Sequence, residues 1–209
     1  MIKILTIERE YGSGGGEIAH LLADRLGWKL WDQLLTEEIA KLANCPKAVV
    51  EVREERTDPI YYRLFKSFLR GSYEGSLNAH TLKLVDCEAI LKLTERVVQN
   101  VAKTGNSVIV GRGSQHFLRN RQDTLRVFLY APRDAKVRRL RARGKSENEA
   151  EELVDSIDRD RADFILKYFG VEWPDRSVYH TMVNTAIGDE AVVQTILDFM
   201  KIVDAKVTA

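Results

Sequence analysis

The chain has 209 residues, 30% of them charged, and a formal net charge of +1. This length accommodates one domain with a buried core, and the near-neutral charge argues against nucleic acid or a strongly acidic partner. Two cysteines without a Cys-x-x-Cys pair, four histidines without zinc-like spacing and no signal-like N-terminus lead us to expect a cytoplasmic protein without a metal cage. Apolar runs stay well short of the ~20 residues that cross a bilayer, so no membrane partner is expected.

Apolar runs and amphipathic patterns alternate along the chain. Short runs rich in branched residues predict strands covered on both faces, at 2–7, 29–31, 107–110, 125–130 and 179–183. Helical patterns lie between them, at 16–26, 83–103, 134–143, 147–168 and 189–204. Strands that alternate with helices predict an α/β fold in three layers, with a central parallel sheet flanked by helices.

A glycine-rich turn separates the first predicted strand from the first predicted helix. Glycines reach backbone conformations closed to other residues, so several N–H groups can point at one anion, and the helix N-terminus adds partial positive charge. The turn therefore predicts a phosphate-binding loop; the alternative is a bend that only lets the helix pack close to the strand. The loop residues are Gly12, Ser13, Gly14, Gly15 and Gly16.

The loop lacks the lysine of the strict Gly-x4-Gly-Lys-Ser/Thr pattern. Glycine stands at that place, and Glu17 replaces the magnesium-binding hydroxyl. Arg9, at the end of the first strand, could fold over the loop and supply the charge, or it could pair with Glu8 or Glu10. We interpret Glu17 as a favourable charge at the start of a helix.

Two later segments depart from the alternating pattern. The stretch 33–80 carries two prolines and a cluster of aromatic residues between 61 and 73, and it predicts a helical insert over one edge of the sheet. Residues 133–145 hold seven lysines and arginines against one acid, so a cationic segment follows the fourth strand. That segment is either a solvated basic helix or part of an anion site.

Several segments, in this order, resemble the nucleoside monophosphate kinases and their cytidylate kinase-like branch. They are the Tyr-Gly-Ser-Gly-Gly turn, Trp31-Asp32, Gly111-Arg112-Gly113, the arginine-rich stretch, Asp158-Arg159-Asp160-Arg161 and Asn184-Thr185. The resemblance implies one kinase-like domain over 1–209 with a P-loop kinase fold. Its parts are an ATP-binding core at 1–32, 81–132 and 176–204, a monophosphate-binding insert at 33–80 and a lid at 133–165.

The resemblance also assigns roles to charged residues. It implies that Arg112 grips the phosphate of the monophosphate, a task that suits a planar guanidinium because it makes two bonds at once. Lys136 and Arg139 match the lid cations, and together with Arg112 and Arg159 they are the catalytic candidates. The loop glycines, Ser13 and Arg9 are the candidates for binding ATP.

Substrate recognition falls, by the same resemblance, on acids and one further arginine. Asp160 matches the acid that reads the cytosine amino group, and Arg161 an arginine on phosphate. Asp32 is expected to hold magnesium through water or to orient the monophosphate; its alternative role is to cap the helix that follows. Ser156 and Asp163 stand where those enzymes carry arginines.

The resemblance thus implies transfer of a phosphoryl group from ATP, with Mg²⁺, to a nucleoside monophosphate such as CMP or dCMP. Two alternatives stay open. One is a nucleotide-binding protein without efficient catalysis that acts as a sensor or partner-binding module. The other is a kinase for another small metabolite. If the loop lacks only its cation, a lysine at Gly15 should strengthen ATP binding. The oligomeric state is left open.

Overall fold

The computed structural model describes residues 1–42 and 87–207. Five parallel strands form one sheet in the order β2-β3-β1-β4-β5. The strands are β1 (Ile4–Arg9), β2 (Lys29–Trp31), β3 (Ser107–Val110), β4 (Thr124–Tyr130) and β5 (Thr181–Asn184). The helices are α1 (Gly15–Leu26), α2 (Gln33–Leu42), α3 (Cys87–Thr104), α4 (Ser114–Phe117), α5 (Arg133–Ala142), α6 (Glu147–Phe169) and α7 (Asp189–Val207). Two short 3-10 turns, Arg176–Val178 and Thr185–Ile187, flank β5.

The central strand β1 is buried along its whole length. Because side chains alternate across a strand, its apolar residues feed two cores on opposite faces of the sheet. Leu5 and Ile7 pack into the core that contains α1 and α7, and Ile4 packs into the core that contains α3 and Phe164 of α6. The predicted three-layer fold is therefore confirmed.

The sheet brings the ends of β1 and β3 together. β1 pairs with β3 on one side, with Ile7 opposite Val110, and with β4 on the other, with Arg9 opposite Leu129. Since all strands run in one direction, the turns after β1 and β3 emerge at the same edge of the sheet. This is the edge at which open parallel sheets bind ligands.

The predicted elements agree with the structure except at their ends. The predicted strand 179–183 is observed as Thr181–Asn184, and the last predicted helix extends to Val207. Of the predicted insert at 33–80, the first part is the helix Gln33–Leu42, while 43–80 lies outside the described residues. The division into core, insert and lid stays a prediction.

The cationic segment forms α5, which packs against α6. Apolar side chains of the two helices form a third core together with Tyr11. They are Val137 and Leu140 on α5 and Ala150, Val154 and Ile157 on α6. Tyr11 precedes the glycine loop, so this core fixes the predicted lid segment next to it. No helix in the described ranges 1–42 and 87–207 is long and apolar enough to cross a membrane.

Candidate phosphate-binding site

The glycine loop is a hydrogen-bonded bend at the start of α1. Gly12 and Gly14 have φ values of 79° and 84°, in the left-handed region that favours glycine. Ser13 Oγ donates to the Glu10 carbonyl oxygen at 2.8 Å, and Thr185 Oγ1 donates to the Ser13 carbonyl oxygen at 2.6 Å. Gly14 occupies the N-cap of α1 and has no side chain to cap it, so the first N–H groups of the helix suit an anion.

One face of α5 lies directly on this loop. An ideal Cβ built on Gly12 would lie 3.1 Å from Cβ of Lys136, and one built on Gly14 would lie 1.5 Å from Nη1 of Arg139. One turn further along α5, Arg143 forms an ion pair with Glu17. The i, i+3, i+7 spacing of these three cations puts them on one helix face. We call Lys136, Arg139 and Arg143 the α5 cation row.

Each cation of the row is paired with acids from other elements. Lys136 Nζ lies 3.0 Å from Glu10 Oε2 and 3.3 Å from Asp158 Oδ2. Arg139 makes two hydrogen bonds to Asp189, from Nη1 at 3.2 Å and from Nη2 at 2.8 Å. These acids hold the row in place, since a fixed pair of charges restricts the rotamers of both side chains.

Arg9 makes contacts of both kinds that its sequence position allowed, an ion pair with Glu8 and packing of its stem on the loop, while its role in binding ATP stays a prediction. Its Nη1 lies 3.4 Å from Glu8 Oε1, and its stem packs on the loop, so that an ideal Cβ on Gly15 would lie 2.7 Å from Cβ and Cγ of Arg9. The guanidinium extends to Gly111 at the end of β3, where an added Cβ would lie 2.2 Å from Nη1. A lysine at Gly15 would meet the stem of Arg9, so the gain in ATP binding expected for a loop that lacks only its cation stays a prediction, and the contact favours no gain.

Arg112 is almost completely buried, with 2% of its surface exposed. It follows β3 in the left-handed region, with φ of 59°, and its Nη2 donates to Thr36 Oγ1 of α2 at 2.6 Å. Burial lowers the pKa of Arg112 to about 10, although the nearby carboxylate of Asp32 opposes that shift. Arg112 is thus a charged, desolvated cation at neutral pH rather than a solvated surface arginine.

Three arginines line one small cavity of about 20 Å³ between the ends of β1 and β3. They are Arg9, Arg112 and Arg161, and Glu8 is the acid among the lining residues. Arg161 is anchored by a 2.9 Å hydrogen bond from its Nη1 to the Arg9 carbonyl oxygen. An excess of buried guanidiniums suits an anion such as phosphate. The apolar wall of this arginine cavity consists of Phe164, Ile165 and Trp173.

Asp158 lies at the site although the sequence alone predicts no particular role for it. Its Oδ1 accepts from the Tyr11 backbone N–H at 2.7 Å and from Arg161 Nη1 at 3.2 Å, while Oδ2 faces Lys136. Burial raises the pKa of Asp158. Its helical spacing from Arg161 was the available signal, because residues three apart share a helix face.

The other two members of the Asp158-to-Arg161 run face elsewhere. Arg159 is exposed on α6 and Asp160 is partly exposed, while Arg161 is buried at the arginine cavity. The structure therefore brings Arg161 together with Arg9 and Arg112 and leaves Arg159 outside this group. The catalytic role of Arg159 and the base-reading role of Asp160 stay predictions.

Asp32 is the carboxylate expected to hold the magnesium ion of ATP, and this role stays a prediction. It is 5% exposed at the end of β2, and its charge acts on Arg112. Magnesium at phosphate-transfer sites takes one or two carboxylates together with phosphate oxygens and water, so one acid here is sufficient. The described part of the chain contains no cluster of three or more His, Cys, Asp or Glu residues that could hold a metal by themselves.

The fold and site define a class of protein before any relative is considered. A glycine loop between β1 and α1, with cations from later elements around it, is the architecture of P-loop kinases. Solved structures agree at the level of the fold. An uncharacterized protein from Eubacterium ventriosum superposes on the chain with a TM-score of 0.68 and 19% identity. The superposition covers 96% of this chain and 99% of that protein. For shikimate kinase from Bacteroides thetaiotaomicron these coverages are the same, with a TM-score of 0.52 and 18% identity.

Sequence comparison narrows the class to a family. The family model of the cytidylate kinase-like family matches residues 4–187, and the chain belongs to this family. A curated cytidylate kinase from Methanosarcina mazei is 27% identical over 82 residues, which are 38% of this chain and 46% of that protein. The chain thus matches about half of the length of this relative. The protein is thus a member of a kinase family.

Proposed function

We propose that the protein transfers the γ-phosphoryl group of ATP to a nucleoside monophosphate, with CMP or dCMP as the acceptor. The observation that carries the proposal is the arginine cavity of Arg9, Arg112 and Arg161, which the stem of Arg9 connects to the glycine loop at Gly15. Two adjacent anion sites are what a reaction between two phosphorylated molecules requires. Membership of the cytidylate kinase-like family supports the kinase reaction and points to the cytosine base.

The donor phosphates of ATP would lie on the glycine loop. Its left-handed glycines and the start of α1 present backbone N–H groups, and Lys136 and Arg139 add positive charge from above. Magnesium bound with ATP would supply further charge neutralisation near Asp32. These residues work by position, since phosphoryl transfer needs alignment and charge stabilisation more than covalent help from the protein.

The acceptor phosphate would lie in the arginine cavity. In the transfer, one of its oxygens forms a bond to the γ-phosphorus of ATP while the bond from that phosphorus to the β–γ bridging oxygen breaks. The products are ADP and the nucleoside diphosphate. Arg9 lies between the two sites, with its stem on Gly15 and its guanidinium at Gly111, so it is placed to stabilise the group in transit.

The test is a transfer assay with ATP and magnesium against CMP, dCMP, UMP, AMP and GMP, with ATP hydrolysis as the control. We expect formation of CDP or dCDP in preference to the other diphosphates. Transfer only to a non-nucleotide acceptor would contradict the proposal in favour of a metabolite kinase. ATP binding without transfer to any acceptor would favour a nucleotide-binding module.

A further inference from the structure

The glycine loop lacks its own lysine, and the structure shows a cation seated on it from elsewhere. The guanidinium of Arg139 is so close to Gly14 that an ideal Cβ there would lie 1.5 Å from Nη1 and 2.4 Å from Cζ. The same guanidinium is held by both carboxylate oxygens of Asp189, the first residue of α7. A two-bond pair of this kind fixes the plane of the guanidinium as well as its distance.

The segment that carries Asp189 is also tied to the loop itself. Thr185, four residues earlier, donates from Oγ1 to the Ser13 carbonyl oxygen at 2.6 Å and is 1% exposed. The short turn Thr185–Ile187 and Gly188 connect these two contacts. The junction of β5 and α7 therefore contacts the loop directly through Thr185, and it holds Arg139 over the loop through Asp189.

The neighbouring cations are engaged differently. Lys136 is shared between two acids, and Arg143 pairs with Glu17 of α1. The hydrogen bonds of Arg139 to described residues are the two to Asp189. A guanidinium has five N–H donors, so these two bonds leave donors for the oxygens of a bound phosphate.

We propose that Arg139 is the phosphate-loop cation of this protein and that Asp189 is the positioning residue that seats it over Gly14. The inference rests on the proposed function in taking the loop as the site of the ATP phosphates. A lysine within such a loop is placed beside the phosphates by its own backbone. Here the β5–α7 junction places the cation instead, through Asp189. Asp189 acts only through Arg139, and it need not touch the nucleotide.

The first test is the affinity for ATP, measured by calorimetry on the full chain. We expect Arg139→Ala to weaken ATP binding at least about tenfold, because the loop loses its cation. The matched control is Arg138→Ala on the same helix, where the side chain is exposed and pairs with Asp134; its ATP affinity should stay within about twofold of the wild type. Equal effects of the two variants would overturn the inference.

The second test separates positioning from a structural role. Without Asp189, Arg139 must be ordered when ATP binds, so Asp189→Ala should weaken ATP binding a few-fold. In the Arg139→Ala background the same change should not weaken it further, since the remaining carboxylate only repels phosphate. Asp189→Asn, which keeps the size of the side chain and its helix-start preference, is the second variant and should follow the same pattern. An equal loss in both backgrounds would overturn the positioning role.

The outcomes distinguish this inference from the proposed function. If the wild type binds ATP and transfers to no acceptor, the proposed function fails, and the affinities of the variants still decide the inference. If transfer to CMP occurs and Arg139→Ala binds ATP like Arg138→Ala, only the inference fails. Absence of ATP binding by the wild type contradicts both.

Discussion

At the scale of single residues, Arg112 combines burial with charge. It is 2% exposed, near Asp32, and bonded to Thr36 on α2. Such a group can bind a phosphate without reorganisation, because water has already been removed from it and its partners fix its direction. The cost is that no smaller or neutral residue can replace it without leaving the carboxylate of Asp32 poorly compensated.

We therefore expect Arg112→Lys to lower the rate of phosphoryl transfer about 10²- to 10³-fold, because lysine keeps the charge and loses the two-bond fork. Steady-state kinetics with CMP as the varied substrate would measure this. Arg126→Lys is the control, since Arg126 is partly buried near the start of β4, away from the strand ends that carry the site, and donates to the carbonyl oxygens of Val178 and Arg119. A rate for Arg112→Lys equal to that of the control would remove Arg112 from the site.

Gly15 offers a second prediction at this scale. Because the stem of Arg9 fills the space beside it, Gly15→Lys should fail to strengthen ATP binding and should lower the free energy of unfolding by about 1–3 kcal/mol through overpacking. Urea denaturation and ATP calorimetry would measure the two effects. His20→Lys adds the same charge at an exposed position of α1 and is the control. Tighter ATP binding by Gly15→Lys, without the same gain in His20→Lys, would show that the stem of Arg9 moves aside for the new side chain.

At the scale of elements, α6 is joined to the loop through Asp158, which accepts from Tyr11 and Arg161 and faces Lys136 of α5. Its pKa is raised by burial, so the folded state binds the proton of Asp158 more tightly than the unfolded state. The protonated Asp158 therefore stabilises the folded state fully below pH 3.8, the ordinary pKa. This stabilisation is lost as the pH rises above 3.8 and through the raised pKa of the folded state.

The difference in unfolding free energy between the wild type and Asp158→Asn should therefore fall as the pH rises from about 4 toward neutrality. Urea denaturation at several pH values would measure it. The control is Asp155→Asn, one turn earlier on α6, where hydrogen bonds from Arg133 lower the pKa of Asp155. The difference between the wild type and Asp155→Asn should stay constant over this range and fall only below pH 3.8, because a lowered pKa stabilises the fold above the ordinary value and that effect is lost toward acid. The same trend for both aspartates would contradict the buried environment of Asp158.

The elements themselves were predictable because their signals are local. The glycine loop lies between β1 and α1, and the apolar runs and Gly27 marked the neighbouring strands and the end of α1. The partners of the loop were not predictable in this way. Tyr11 and Asp158 are 147 residues apart, and Ser13 and Thr185 are 172 apart, so their pairing depends on how α6 and the β5–α7 junction pack.

The residues of the candidate site likewise fall into those with a local sequence signal and those whose role depends on packing. Arg112 could be predicted as a site residue because it comes directly after a buried strand and stands between two glycines. The choice between Arg159 and Arg161 depends on which face of α6 packs inward, and a run of alternating charges does not decide it. The role of Arg9 stayed open for a similar reason, because its length lets it reach both Glu8 and the loop.

At the scale of the whole molecule, the two proposed anion sites draw on different parts of the chain. The loop with Arg139 is completed by α5 and the start of α7, whereas the arginine cavity is completed by the end of β3 and by α6. They meet at Arg9, whose stem contacts one site and whose guanidinium lines the other. Donor and acceptor binding should therefore be separable by substitution, while transfer needs both.

We expect ATP and CMP each to raise the unfolding temperature of the wild type, because a ligand that binds only the folded state stabilises it by about 2.7 kcal/mol at 100 times its dissociation constant. For a chain of this length that corresponds to roughly 5–10 °C. Arg139→Ala should lose most of the shift with ATP and keep the shift with CMP, and Arg112→Lys should show the reverse. Thermal unfolding followed by circular dichroism, with Arg138→Ala as the control, would measure all four cases. Loss of both shifts in both variants would mean that the nucleotides share one site, and the division of the sheet edge into a donor and an acceptor part would then be wrong.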